Sequence, residues 1–190
     1  MWKRLLYSET ILALSKSKKV AYIGVVTAFT VVVNAMFEIK LGGVQFSLTI
    51  FASVLAGLII GAAPGFLACF MGDLIGFLLH PYGEYSPVIG IATGLMAVFA
   101  ALIMQVPTKG KGETYAKLAI VCLLIFLVCT AGLNNWYLNQ VYYTELTFFE
   151  CLNTRLLAQG QILNTLVNSA LVVLLIPVLA KIKALKLKIH

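Results

Sequence analysis

The sequence predicts an all-α, polytopic membrane protein: a six-transmembrane-helix bundle occupying residues 1–190 as a single membrane domain. Three observations carry that prediction. Apolar residues make up 61% of the chain and charged residues 11%, which leaves a soluble domain of this size too few charges to cover its surface. The apolar residues come in runs near the roughly 20 residues that cross a hydrocarbon core. The formal charge of +7 lies in short basic blocks at the ends of those runs, as a topology signal does, so a nucleic-acid partner is not expected.

Residues 1–18 alternate apolar Trp2, Leu5, Leu6, Ile11 and Leu12 with Lys3, Arg4, Ser8 and Glu9. That pattern suits an amphipathic cytoplasmic helix on the inner membrane surface and, equally, a loose tail. The bundle itself occupies about 20–180. Its first span runs from about Val20 to Phe37, followed by a short loop, 38–46, with a Gly42-Gly43 turn. The apolar stretch from Ser47 to Leu79 would be roughly 50 Å long as one helix, too long for a core of roughly 30 Å. GAAPG, Gly61 to Gly65, divides it into two spans, the first of them short. A polar loop, His80 to Pro87, leads to the fourth span, about Val88 to Gln105. A basic loop, Pro107 to Thr114, leads to the fifth, about Tyr115 to Leu133. An aromatic, amide-rich segment, Asn134 to Asn153, precedes the sixth, about Thr154 to Ala180, and residues 181–190 form a basic tail. With six spans the basic residues around Lys3 to Lys19, Lys109 to Lys117 and Lys181 to Lys188 all fall on one side, which the bias of Lys and Arg toward inner loops makes cytoplasmic. The expected location is the cell membrane, with both termini inside.

No catalytic residues, cofactor or metal site are expected, and the chain reads as a non-enzyme. It has two histidines, no HExxH, GxSxG or phosphate-binding loop, and four cysteines without a CxxC pair. The unusual residues fall on the outer side. Candidate substrate-binding residues are Gln45, Tyr82, Glu84, Tyr85, Asn134, Asn135, Trp136 and Asn139 from the loops, with Arg155 and Gln159 four residues apart at the start of the last span. Rings supply stacking area and amides read the edges of a flat, heteroatom-rich ligand. For each aromatic the alternative is an interfacial belt, and for Arg155 it is snorkelling to the outer interface. Lining a cavity, Arg155 would favour a ligand carboxylate or carbonyl. Gln161, Asn164 and Asn168 make a second polar stripe, facing the cavity or bonding between helices. Asp73 lies inside a span beside Gly72 and Gly76; a structural role is read ahead of a proton-coupled secondary transporter centred on it. Gly24 with Ala28, and Gly57 with Gly61, have the four-residue spacing that lets a neighbouring helix come close, inside this bundle or on another subunit.

Three stretches, KKVAYIGVVTAFTVVVN, LAGLIIGAAPGFLACFMGDLIGFLLHPYGEYSP, and GLNNWYLNQVYY followed by LNTRLLAQ, are similar in order and pattern to the substrate-binding S components of energy-coupling factor (ECF) vitamin transporters. The last stretch resembles the folate-type branch. The resemblance implies capture of a vitamin from outside, under a lid formed by loop 38–46 or 80–87, for uptake driven by ATP hydrolysed elsewhere. It implies a transmembrane coupling subunit, docking at Gly24 and Ala28, and two cytoplasmic ATPase subunits as partners. Where the folate-type branch reads P-G-F-T, this chain has Pro87, Val88, Ile89 and Gly90, which leaves cobalamin or a queuosine precursor open beside folate.

Overall fold

The computed structural model describes residues 6–41, 44–81, 83–107 and 110–182, with the backbone alone for 38–41, 44 and 45. A short helix α1 (Glu9–Ala13) precedes α2 (Lys16–Met36), and an antiparallel hairpin, β1 (Glu38–Leu41) with β2 (Val44–Ser47), leads into α3 (Thr49–Ile60). Then come α4 (Ala62–Leu79), α5 (Pro87–Met104) and α6 (Lys111–Leu124). Helix α6 continues through a π-helical segment, Ile125–Asn134, into α7 (Asn135–Val141), a single 31-residue run. The chain closes with α8 (Phe148–Asn153), a π-helical turn Thr154–Ala158, and α9 (Gln161–Leu179).

Among the described residues five helices are long and apolar enough to cross a membrane: Lys16–Met36, Ala62–Leu79, Pro87–Met104, Lys111–Val141 and Gln161–Leu179. This corrects the expected count of six. The segment expected as the second span is α3, whose 12 residues make about 18 Å at 1.5 Å each, short of a core of roughly 30 Å. Its environment explains how so short a helix holds. It is wrapped by protein, with Val54, Ala56 and Ile60 fully buried, and the backbone groups orphaned at its ends need partners. Other parts of the chain supply them. At its start Asn168 Oδ1 accepts from the Phe51 amide at 3.1 Å and Asn164 Oδ1 from the Ser47 amide at 3.1 Å, while Asn168 Nδ2 donates to the Ser47 carbonyl at 2.7 Å. At its end the Ser8 hydroxyl donates to the Ile59 carbonyl at 2.8 Å, and the Ser8 amide to that of Ile60 at 3.3 Å. The polar stripe on α9 therefore bonds between elements at Asn164 and Asn168, while Gln161 and Asn164 also face the cavity described below.

The same contacts place the N-terminal segment. Ser8 caps α1 by accepting from the Ile11 amide at 3.2 Å, and Ile11, 1% exposed, enters the core. The strap lies across Gly61, whose φ of +96° turns α3 back into α4, and where a Cβ would strike the Ser8 backbone.

Other boundaries differ from expectation. The loop 38–46 is mostly the hairpin, with two four-residue arms. The fifth span does not stop at Leu133 but runs on to Val141, so Asn134 to Asn139 are helical. The sixth is broken at Gly160, φ +68°, which separates Arg155 and Gln159 from α9.

Small residues set the packing. A Cβ at Gly57 would collide with the Ala97 carbonyl, one at Gly72 with the Thr30 hydroxyl, and one at Gly76 would come within 2.9 Å of Asn34 Cβ. Gly72 and Gly76 thus form the seam between α4 and α2, which the Thr30 hydroxyl closes by donating to the Ala68 carbonyl at 2.9 Å. Gly24 has nothing within 4 Å and faces outward with Ala28. Val20, Leu67 and Leu174 are also well exposed, a surface suited to lipid.

Candidate ligand-binding cavity

A cavity of about 860 Å³ opens at the end of the bundle where the hairpin, the 80–86 loop and the 142–160 segment meet. That volume suits a drug-sized ligand. Each element gives its cavity-end residues: Asn34 from the last turns of α2, Thr49 from the start of α3, Asp73 and Phe77 from α4, Thr93 from α5 and Asn164 from α9. The Thr49 hydroxyl donates to Asn34 Oδ1 at 2.8 Å, which ties α3 to α2 at the wall. The π-helical segment contributes Thr130 and Asn134, and Leu138 follows on α7; i→i+5 bonding widens the turn.

Arg155 is the most constrained polar group of the wall. It is 5% exposed, held by the π-helical turn between α8 and Gly160. Its Nη1 donates to the Thr130 carbonyl at 3.4 Å and to Asn135 Oδ1 at 3.3 Å. Both acceptors are neutral, both bonds are long, and its Nε is buried without a partner. Asn134 Oδ1 is likewise buried without a partner. Unpaired polar atoms cost about 1–3 kcal/mol each and more when charged, so the wall is unsatisfied as it stands. Nearby, Gln159 Nε2 donates to the Tyr143 hydroxyl. On the opposite lip Tyr85 packs its ring against Phe77, centroids 5.3 Å apart. Burial, and then the charge of Asp73, push its phenol pKa up to about 12, so it stays neutral at physiological pH. Gly90 makes room for it: a Cβ there would come within 2.5 Å of the Tyr85 hydroxyl.

Of the expected ligand residues the structure brings together Glu84, Tyr85, Asn134, Arg155 and Gln159. It does not bring Asn135, Trp136 or Asn139 to the wall. Asn135 is fully buried behind Arg155, Trp136 points outward at 53% exposure, and Asn139 Nδ2 donates to the carbonyls of Tyr143 and Leu146 at 3.0 and 2.8 Å, shaping the turn after α7. Tyr82 and the Gln45 side chain lie outside the described residues; the Gln45 backbone pairs with Lys40 in the hairpin. Sequence reasoning missed Asn34, Thr49, Thr93 and Thr130 as wall residues. A threonine in an apolar run gives no signal of its own, and Thr130 offers Arg155 only a backbone carbonyl. Among the described residues no three His, Cys, Asp or Glu side chains converge as a metal site, and all four cysteines are buried and free.

The chain matches the family described as ECF-type riboflavin transporter, S component, over residues 14–186. It is similar to the probable biotin transporter BioY of Pyrococcus horikoshii, 28% identical over 119 residues that cover 60% of this chain and 72% of that protein. Among solved structures it is similar to the crystal structure of FolT bound with folic acid, with a TM-score of 0.66, 19% identity, and coverage of 85% of this chain and 90% of that one. At that identity the likeness is one of fold.

Proposed function

The chain belongs to the ECF-type riboflavin transporter S-component family, a group of non-catalytic membrane proteins of vitamin uptake, and from that premise we infer that its cavity captures a vitamin bearing a carboxylate. The observation that carries this is Arg155, buried, with two neutral acceptors and an unpaired Nε. A guanidinium in that state gains most from a carboxylate, which accepts two of its N–H groups at once. Asn134 Oδ1 asks for a ligand donor beside it, and Phe77 and Tyr85 supply ring faces across the cavity. The proteins similar to this one are named for riboflavin, biotin and folate. Folate and biotin carry a carboxylate and riboflavin does not, so folate is the leading ligand and biotin the next.

The partners follow from the family: a transmembrane coupling subunit and two cytoplasmic ATPases. The outward face of Gly24 and Ala28 is the docking surface for the coupling subunit, because both are exposed and none of the described residues packs on Gly24. We further propose that α3, too short to be a sixth spanning helix in its own right, still carries the chain from the cavity end to the Gly61 turn and so counts as a pass. That parity puts both termini on the basic side, in the cytoplasm.

Binding of folic acid, biotin and riboflavin to purified protein tests the reading. Arg155→Ala should weaken the acid that binds by about 2–5 kcal/mol, some thirtyfold or more, with the fold intact. Unchanged affinity would mean Arg155 plays no part in recognition. Uptake that follows a proton gradient without ATPase subunits would instead favour the secondary-transporter reading, for which Asp73 in the wall is the residue at stake.

A further inference from the structure

We propose that Asn135 is a specificity-determining residue acting through Arg155: it holds the guanidinium in place without neutralising it. This rests on the reading above that Arg155 meets a ligand acid. Asn135 is 0% exposed and is not part of the cavity wall. Its Nδ2 donates to the Phe148 carbonyl at 3.1 Å and its Oδ1 accepts from Arg155 Nη1 at 3.3 Å. The first bond orients the second: with the NH2 group committed to a carbonyl, the amide oxygen faces the arginine. Asn135 thus sits between the start of α8 and the π-helical turn carrying Arg155, and fixes where the guanidinium stands.

The choice of an amide is the informative part. A buried guanidinium is usually balanced by a carboxylate, and aspartate is nearly isosteric with asparagine. An aspartate at 135 would complete an ion pair inside the wall, and an incoming anion would find the positive charge already balanced. Asn135 and the Thr130 carbonyl occupy Nη1 alone. They leave the charge whole and Nε unpaired. Asn135 is therefore a positioning residue whose neutrality keeps the cavity selective for acids over their uncharged analogues.

The test compares two matched pairs of probes, biotin with its primary amide and folic acid with its dimethyl ester, on wild type, N135D, R155A and the double variant. Asn135→Asp should weaken binding of the acid at least about tenfold while changing the neutral analogue by less than about threefold. In the R155A background the same substitution should leave the acid-to-neutral ratio unmoved, since the residue acts only through Arg155. Equal loss of acid and neutral probe in N135D, as a purely structural role would give, overturns the proposal. So does a ratio that still shifts without Arg155. If N135D does not fold, Asn135→Ala takes its place: a fall in the ratio with the neutral probe bound as before supports the proposal, and equal loss refutes it. The two layers fail separately. A ratio moved by R155A but not by the Asn135 variants removes this inference alone, whereas a wild type that binds neither acid removes the carboxylate reading as well.

Discussion

Asparagines in this chain divide by what they do for the backbone around them. Asn164 and Asn168 serve the start of α3, Asn139 serves the turn after α7, Asn135 holds Arg155, and Asn134 lines the cavity with a buried oxygen left unpaired. Replacing Asn168 with Ala removes the acceptor for the Phe51 amide and the donor to the Ser47 carbonyl, both part-buried. The expected cost is about 1–3 kcal/mol for each group left unpaired. Thermal unfolding in detergent should show it as a clear drop in Tm, and a Tm within a degree of wild type would mean that water replaces the side chain. At this scale the sequence was informative where polarity is expensive. Arg155 and Gln159 stood out because a polar pair beside a membrane span needs a reason, and both line the cavity. It was uninformative among neighbouring amides: Asn134, Asn135 and Asn139 have the same chemistry, and only the helical phase through the π segment decides which one lines the cavity. Thr130 had no side-chain signal, since its carbonyl is the group in use.

At the level of elements the small-residue pairs make the sharpest contrast. Gly24 with Ala28 and Gly57 with Gly61 have the same spacing, and sequence alone leaves open which pair is used inside the bundle. The fold assigns Gly57 to the contact with Ala97 and Gly61 to the left-handed turn under Ser8, and leaves Gly24 free. Gly57→Leu should therefore prevent folding, because the obstacle is backbone and cannot move aside. Gly24→Leu should leave a stable, ligand-binding protein that no longer copurifies with a coupling subunit. If Gly24→Leu also lowered Tm or ligand affinity, the outward face would have to be a site of internal packing. The hairpin shows the opposite kind of blindness. Gly42-Gly43 is a proper two-residue turn signal, yet arms of four residues carry too little alternation to separate a strand pair from a loop. The short α3 was legible as a short apolar segment, but not the means of holding it, because its caps arrive from residues 8, 164 and 168, far away in the chain.

For the whole molecule the parity of crossings is the quantity to measure. The buried native cysteines make a quiet background for single-cysteine labelling in intact cells. Cysteine in place of exposed Glu84 should react with a membrane-impermeant maleimide from outside, whereas cysteines replacing exposed Ser15 and Lys181 should react only after permeabilisation. Opposite behaviour of Ser15→Cys and Lys181→Cys would mean that α3 does not complete a pass. The basic clusters yield only an expected orientation, through a charge bias spread over the whole chain, whereas crossing number depends on one 12-residue helix whose length lies outside the usual range. The strap formed by Ser8 and Ile11 bears on a different property. The cavity opens at one end of the bundle, and beyond its floor lie Ile60, Leu118, Ile125 and Ile176, all fully buried, with the strap drawn across the far turn. This packing is predominantly apolar, and an ion entering it would shed its hydration for little polar surface in return. The expected consequence is a protein that leaks no ions, empty or loaded, so that idle copies leave the membrane voltage intact; conductance across vesicles holding the purified protein checks it.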